Sequence, residues 1–344
     1  GIAYGVTYIF QSKLWLIDPT MPGLMLLIVG FHAVFNRFVK EFRLKQQIKK
    51  QFEHYLAPAM VKKLQKDPNL LKLGGDTRQL TLLFCDIRGF TPISEQFKTN
   101  PQGLTELVNR FLTPMTNIIM EKEGTVDKYM GDCIMAFWNA PLDVDQQADK
   151  AVDTSLLMLK GLDKLNTQLT AENKLPINIG IGLNTGDAVV GNMGSDQRFD
   201  YSCLGDAVNL AARLEGQTKG YGVKILFGEE TARNLSDKHT ILELDKIAVK
   251  GKTEPVAIYT VLDPDVIGIH ELPTVMQFVK LHMALRESYR KQDWKHCKDC
   301  IDSLMGQFSG SLDSYYEIIT DRIEEFKKNP PSKEWDGVYV ATTK

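Results

Sequence analysis

The stretch Leu80–Thr91, LTLLFCDIRGFT, ends a short apolar run on an acid. Leu80 to Phe84 reads as a buried strand that delivers Asp86 into a turn marked by Gly89. A carboxylate at the tip of such a strand, beside amides freed by a glycine turn, can hold a divalent cation and receive phosphate oxygens. The same aspartate also fits the cap of the helix opened by Thr91-Pro92. A second acid, Asp132, follows the turn Tyr129-Met130-Gly131, so two strand ends present two carboxylates. Paired carboxylates sharing two cations are a common means of handling a nucleoside triphosphate, and two solvated turn residues are the plainer alternative. Farther on, Asn209 and Arg213 stand four apart in a helical stretch. They share one face while Leu210 and Leu214 turn inward. A merely solvated face is the other reading there, for which Asn is a poor choice.

The elements that position these residues alternate along the chain. After the first strand, a helix is expected from Gly103 to Glu123, then a hairpin over Gly124–Phe137 and a helix over Asp145–Leu169. A strand over Ile177–Leu183 turns at Thr185-Gly186-Asp187 into Ala188–Val190. Tyr201–Leu204 then leads through Gly205 into a helix, Ala207–Glu215. Lys224–Phe227 is another strand, and Ile241–Val249 with Val256–Leu262 closes the set. This order predicts an α+β sandwich with helices on one face of a largely antiparallel sheet. Pro273 to Lys328 reads as helix again, and residues 329–338 as a strap with Trp335 as its anchor.

The chain has 344 residues, 43% hydrophobic and 24% charged, enough for one sizeable domain with appendages. A net charge of -2 gives no polyanion-binding signal, so nucleic acid is not expected as a partner. The five cysteines are odd in number, and three lie in apolar or motif stretches, as reduced buried thiols do. Cys297 and Cys300, with His296 adjacent, read as helix residues more than as a metal pair, since no second ligand pair stands nearby. The chain begins at Gly1 rather than Met and is expected to be a piece of something longer.

Gly1–Phe10 carries no charge and reads as the tail of a membrane span; Pro19–Phe35 gives 17 more residues without a formal charge. Trp15 before it, and Arg37, Lys40, Arg43, Lys45, Lys49 and Lys50 after it, supply an aromatic anchor and a basic flank. These place the following segment in the cytoplasm. A buried hairpin or a signal segment is the alternative. From Phe38 through Phe42, Ile48 and Phe52 to Leu56, apolar residues recur every three to four positions between charges. This is an amphipathic helix suited to a short coiled coil or to a lipid surface, with Pro58 interrupting it. The expected organisation is membrane segment over 1–38, linker helix over 39–73, main domain over 74–264 and helical tail over 265–344.

Four ordered motifs carry a family resemblance: Phe84–Thr91 (FCDIRGFT), Lys128–Asp132 (KYMGD), Tyr201–Glu215 (YSCLGDAVNLAARLE) and Val249–Lys252 (VKGK). Together, over about Thr77 to Leu262, they resemble the class III adenylyl and guanylyl cyclase catalytic domain, a ferredoxin-like sandwich. The preceding segments resemble those of bacterial membrane receptor cyclases. The stretches at Tyr289–Trp294 and Pro330–Gly337 resemble the carboxyl tail common in those with the sensor called CHASE2.

The resemblance implies that Asp86 and Asp132, with the Ile87 carbonyl, bind two magnesium or manganese ions. It implies Arg213 on the α-phosphate, Asn209 on the ribose and Lys250 on the leaving phosphates. The amides of the loop through Phe90 and Thr91 would meet the β and γ phosphates, and Met130 would line the substrate site. Lys128 would read adenine N1, where guanylyl cyclases typically carry an acid. Ser202 occupies the slot where many adenylyl cyclases carry Asp and others Thr; its hydroxyl accepts more weakly than a carboxylate. In this family one protomer supplies the metal aspartates and its partner the other set. A chain holding both is therefore expected to be a homodimer with two equivalent sites. The expected activity is ATP to 3′,5′-cyclic AMP at the bacterial inner membrane, with the catalytic domain in the cytoplasm. A guanylyl cyclase and a nucleotide-binding module without activity are the alternatives. Diguanylate cyclases do not fit, because Asp76-Thr77 follows Gly74-Gly75 without their acidic signature.

Overall fold

The computed structural model describes residues 1–13, 20–52, 73–248, 255–267, 272–332 and 334–340. The chain divides into two units, Gly1–Lys62 and Lys63–Lys344. The first holds helices α1 (Ile2–Lys13) and α2 (Thr20–Phe52). Within α2, the 22 residues Gly23–Leu44 form a helix long and apolar enough to cross a membrane. Its large side chains, Leu27, Phe31, Val34 and Phe38 among them, are exposed. Phe31 stacks with Phe35 and Phe38 with Phe42, pairs that a helix brings together one turn apart. The expected break at Pro58 and the resumed helix after it lie outside the described residues.

The second unit is built on β1 (Gly74–Ile87), whose residues alternate between two cores. Leu83, Cys85 and Ile87 pack against α4 (Pro101–Glu121) and α5 (Gln147–Ala171). Leu80, Leu82 and Phe84 turn the other way, toward β5 (Arg198–Leu204) and α6 (Asp206–Gln217). A strand covered on both faces has no polar side to show, so it reads as one apolar run. The intervening elements are α3 (Phe90–Gln96), β2 (Thr125–Met130), β3 (Cys133–Trp138) and β4 (Ile179–Ser195). After α6 come β6 (Ile225–Gly228), α7 (Glu229–Arg233), β7 (Ile241–Ala248) and β8 (Val256–Val261). The tail carries α8 (Pro264–Ile267), α9 (Leu272–Arg290), α10 (Trp294–Leu304), α11 (Asp313–Lys328) and β9 (Val338–Val340). Among the described residues the strands form one sheet in the order β2-β3-β1-β4-β6-β8-β7-β9, with β5 beside β4. The β4–β6 and β7–β9 pairs are parallel and the rest antiparallel.

Two features differ from the expectation. The turn at Thr185-Gly186-Asp187 does not form; β4 runs straight through it, paired with β1 from Asn192 opposite Gly74 to Ile179 opposite Ile87. Turning there would strip buried backbone groups of their partners and break the 3.0 Å contact between the Thr185 and Thr81 hydroxyls. Helices also lie on both faces of the sheet. Gly180 and Gly182 leave a bare strip on β4 onto which α6 settles, opposite the α4–α5 face.

The tail is packed against that same second face. Leu210, Leu214, Leu244 and Ile258 share a core with Leu285, Tyr315 and Ile319. At its centre Asp245, fully buried, accepts from Arg286 at 2.8 Å, Arg322 at 2.6 Å and the Tyr221 hydroxyl at 2.7 Å. Trp335 anchors the strap, its ring 5.4 Å from Tyr289 and 5.2 Å from Phe326. The strap also contributes β9 to the sheet edge, which the sequence reading did not include. All five cysteines are free thiols, and Cys297 and Cys300 are buried on α10.

Candidate active site

Asp86 stands near the end of β1, where the sheet register sets it opposite Gly180 of β4. On the other side β3 pairs with β1 through Cys85 opposite Ile134. Continuing that register places Asp132 across from Ile87. The hairpin closes between Met130 and Cys133, with Gly131 at φ 70° supplying the positive dihedral that a two-residue connection needs. Two neighbouring strand ends thus bring the two carboxylates within hydrogen-bonding reach of each other. The Asp86 carboxyl is pushed up to about 6, first by burial and then by Asp132 as hydrogen-bond partner and as charge, against the lowering effect of the Ile87 amide. That amide donates to Asp86 Oδ1 at 3.1 Å.

Two further groups belong to this corner. Glu215 of α6 reaches over Gly180, where an added Cβ would lie 2.8 Å from its Oε1. Burial and then the charge of Asp86 push the Glu215 carboxyl up to about 7, opposed by Arg88 and reinforced by Asp132. Arg88 donates to the Val223 carbonyl, and its Nε is buried without a partner. Burial with the same three acids nearby raises the Cys133 thiol to about 12.

The corner suits a divalent cation. Asp132 Oδ2 is buried and accepts no hydrogen bond, an arrangement whose cost a cation would remove. Among the described residues no group of three or more His, Cys, Asp or Glu side chains forms a metal cage. Two carboxylates and a backbone carbonyl suit a hard cation that completes its shell with water and phosphate oxygens. Gly89, at φ 69°, precedes α3, so the Phe90 and Thr91 amides lie in a first turn without intrahelical acceptors.

A second group gathers around β2 and β5. Lys128 lies on β2, its side chain 43% exposed, with the ammonium 3.4 Å from Asp127 Oδ1. Ser202, on β5 opposite Gly191, is buried and donates its hydroxyl to Asp127 Oδ2 at 2.7 Å. Asn209 and Arg213 lie one turn apart on α6, the former exposed and the latter half-exposed, while Leu210 and Leu214 are buried beneath them. Tyr129 and Met130 at the hairpin tip, with Val189 and Leu204 on paired strands, are large apolar side chains left exposed. Lys250 lies outside the described residues.

Residues 75–263 match the adenylate and guanylate cyclase catalytic domain. The chain belongs to this family. An adenylate cyclase of Anabaena cylindrica is 42% identical over 192 residues, which make up 54% of this chain and 37% of that protein. The crystal structure of the adenylyl cyclase CyaB from P. aeruginosa is 38% identical, covering 56% of this chain and 97% of that one, with a TM-score of 0.51. That of the guanylyl cyclase Cya2 is 35% identical, covering 55% and 94%, also with a TM-score of 0.51. The cyclase domain is therefore similar to solved domains of both nucleotide preferences. The chain spans well under half the length of its curated relative.

Three residues that the structure brings to the candidate site went unread in the sequence. Glu215 closes the motif that contains Asn209 and Arg213, yet nothing in its spacing pointed back to the carboxylates. Arg88 lay within the first motif without an assigned partner. Asp127 directly precedes Lys128, and in a regular strand the two side chains would point to opposite faces. A register shift between Val126 and Lys128 breaks that alternation and lets both reach one place.

Proposed function

We propose that this chain is an adenylate cyclase that converts ATP to 3′,5′-cyclic AMP and pyrophosphate as a homodimer. The observation that carries the reading is the half-buried carboxylate pair, Asp86 with Asp132, of which the buried Asp132 Oδ2 has no partner in the protein. With Ile87 they would hold two magnesium or manganese ions. Such ions supply Lewis acidity to the ribose 3′-oxygen and to the charge gathering at the α-phosphorus. In the reaction the 3′-oxygen bonds to the α-phosphorus, the bond to the bridging oxygen of pyrophosphate breaks, and the hydroxyl proton is released. Arg213 directs its fixed donors at the α-phosphate oxygens as charge shifts, and Asn209 one turn earlier orients the ribose. The Phe90 and Thr91 amides receive the β and γ phosphates, Lys250 their charge, and Met130 the flank of the site.

Base choice falls to Lys128 and Ser202. An ammonium only donates, which suits the unprotonated adenine N1 and opposes the guanine N1–H. The exposed apolar residues Tyr129, Met130, Val189 and Leu204 beside these groups support an interface with a second copy, across which each site would be completed. The apolar helix Gly23–Leu44, with its basic flank, supports a membrane anchor that leaves the domain in the cytoplasm of a bacterial receptor cyclase. Small rotations passed along the linker would then open or close both sites; linkers of altered helical register should change the cyclase rate. The reading is tested by supplying the full chain in detergent with Mn2+ and either ATP or GTP and measuring cyclic product. ATP is the expected substrate, and Lys128→Glu should erode the preference. A wild-type protein that favours GTP would overturn it.

A further inference from the structure

Asp127 has a surrounding that a surface strand residue does not need. Its side chain is 0% exposed, although Lys128 beside it is well exposed. One oxygen accepts the Ser202 hydroxyl at 2.7 Å, and the other faces the Lys128 ammonium at 3.4 Å without a hydrogen bond. Burial pushes the Asp127 carboxyl up, while Ser202, Lys128 and the Cys203 amide each pull it down. A buried carboxylate is costly to keep unless it orders something. What it orders here is a hydroxyl proton.

We infer that Asp127 is the positioning residue that makes Ser202 an acceptor and so turns a two-way hydroxyl into a discriminator for adenine. A serine hydroxyl has one proton and two lone pairs, and left free it rotates to donate or to accept. An ionised carboxylate can only accept, so it takes the single proton. What Ser202 then offers the base is lone pairs alone. The adenine 6-amino group donates, whereas guanine presents an oxygen at that place and finds no proton waiting. Lys128 adds the matching donor for adenine N1. The pair therefore displays one donor and one acceptor in the order adenine requires, and Asp127 touches both members while touching no substrate itself. The chain thus reaches with Ser202 and Asp127 together what a carboxylate in the Ser202 slot would do alone.

The inference rests on the adenylate cyclase reading, and the experiment separates the two. The full chain is assayed with Mn2+ and ATP or inosine triphosphate, which carries the guanine pattern at positions 1 and 6 without the 2-amino group. The readout is the ratio of the two kcat/KM values, in which the fraction of folded protein cancels. Asp127→Asn keeps the shape, but its amide donates to Ser202 as readily as it accepts. The ratio should fall by about tenfold, the worth of one hydrogen bond and its unmade counterpart. Ser202→Ala should lower it similarly, and Asp127→Asn added to Ser202→Ala should change it no further. Ser202→Thr, which keeps a hydroxyl for Asp127 to hold, should stay within about twofold of wild type. Where a variant turns over neither nucleotide, the same preference is read from thermal stabilisation by the α,β-methylene analogues of ATP and GTP with Mn2+. An unchanged ratio in Asp127→Asn, or a further fall in the Ser202→Ala background, overturns the role of Asp127. A wild-type ratio already favouring the inosine nucleotide overturns the reading beneath it.

Discussion

Gly182→Ala should slow the cyclase reaction although Gly182 has no side chain that could take part in it. Gly182 lies on β4 beneath α6, and a Cβ built there would stand 2.1 Å from the Glu215 amide nitrogen, 2.4 Å from the Ala211 oxygen and 2.7 Å from the Glu215 Cα. All three are helix backbone atoms, so no side-chain rotation gives relief. Ordinary contact begins at 3.4 Å, and 3.4 less 2.1 leaves about 1.3 Å by which α6 must lift from the sheet. Asn209 and Arg213 ride on that helix. Overpacking of this kind costs about 1–3 kcal/mol of stability, and a misplacement of about 1 Å in positioned groups costs about a hundredfold in rate. The assay is kcat for cyclic product from Mn-ATP, with the thermal midpoint measured on the same preparations. Gly216→Ala is the control. That position is exposed on the same helix with nothing within 4 Å of an added Cβ, so the change should stabilise by up to about 1 kcal/mol and leave kcat alone. If Gly182→Ala folds and keeps kcat within about twofold, the helix does not position the reacting groups as argued.

Two further outcomes follow from the site and its support. Because the folded-state value of Asp86 lies above its ordinary 3.8, protonation favours the metal-free fold; that stabilisation is present at low pH and lost as pH rises through about 6. Cation binding needs the ionised form, so apparent Mn2+ affinity, read by thermal shift, should weaken about tenfold between pH 7 and pH 5, and a flat profile would count against Asp86 as a ligand. Asp245→Ala removes the acceptor shared by Arg286 and Arg322 and leaves both cations in the core, which should cost about 3–5 kcal/mol in urea unfolding. A loss below about 1 kcal/mol would show that the tail docks by its apolar contacts alone.

How far the sequence carried depended on whether local pattern and tertiary context agreed. The strand-end placement of Asp86 was legible because an apolar run ending in an acid and a glycine marks a strand tip, and that of Asp132 because a glycine turn between two short strands fixes a hairpin. At Thr185-Gly186-Asp187 the composition favoured a turn, and the long partner strand overrode it. The placement of α6 on the second face depended on Gly180 and Gly182, whose missing side chains say nothing until a neighbour occupies the space. Asp127 was hidden by alternation, since only a bulge lets it share a side with Lys128. The tail's dependence on Asp245 was equally hidden, because β7 also carries Glu243 and Lys246, and nothing marks Asp245 as the buried acid until residues some forty and eighty positions later fold back onto it.

The most direct test is Mn2+-supported cyclic AMP formation by the full chain carrying Asp86→Asn or Asp132→Asn, each close in shape to the acid it replaces. If the two carboxylates hold the cations, either change should lower kcat at least a hundredfold, by the order expected for a lost electrostatic partner, and should weaken Mn2+ binding in parallel. Full rate in either variant, at unchanged Mn2+ dependence, would contradict it.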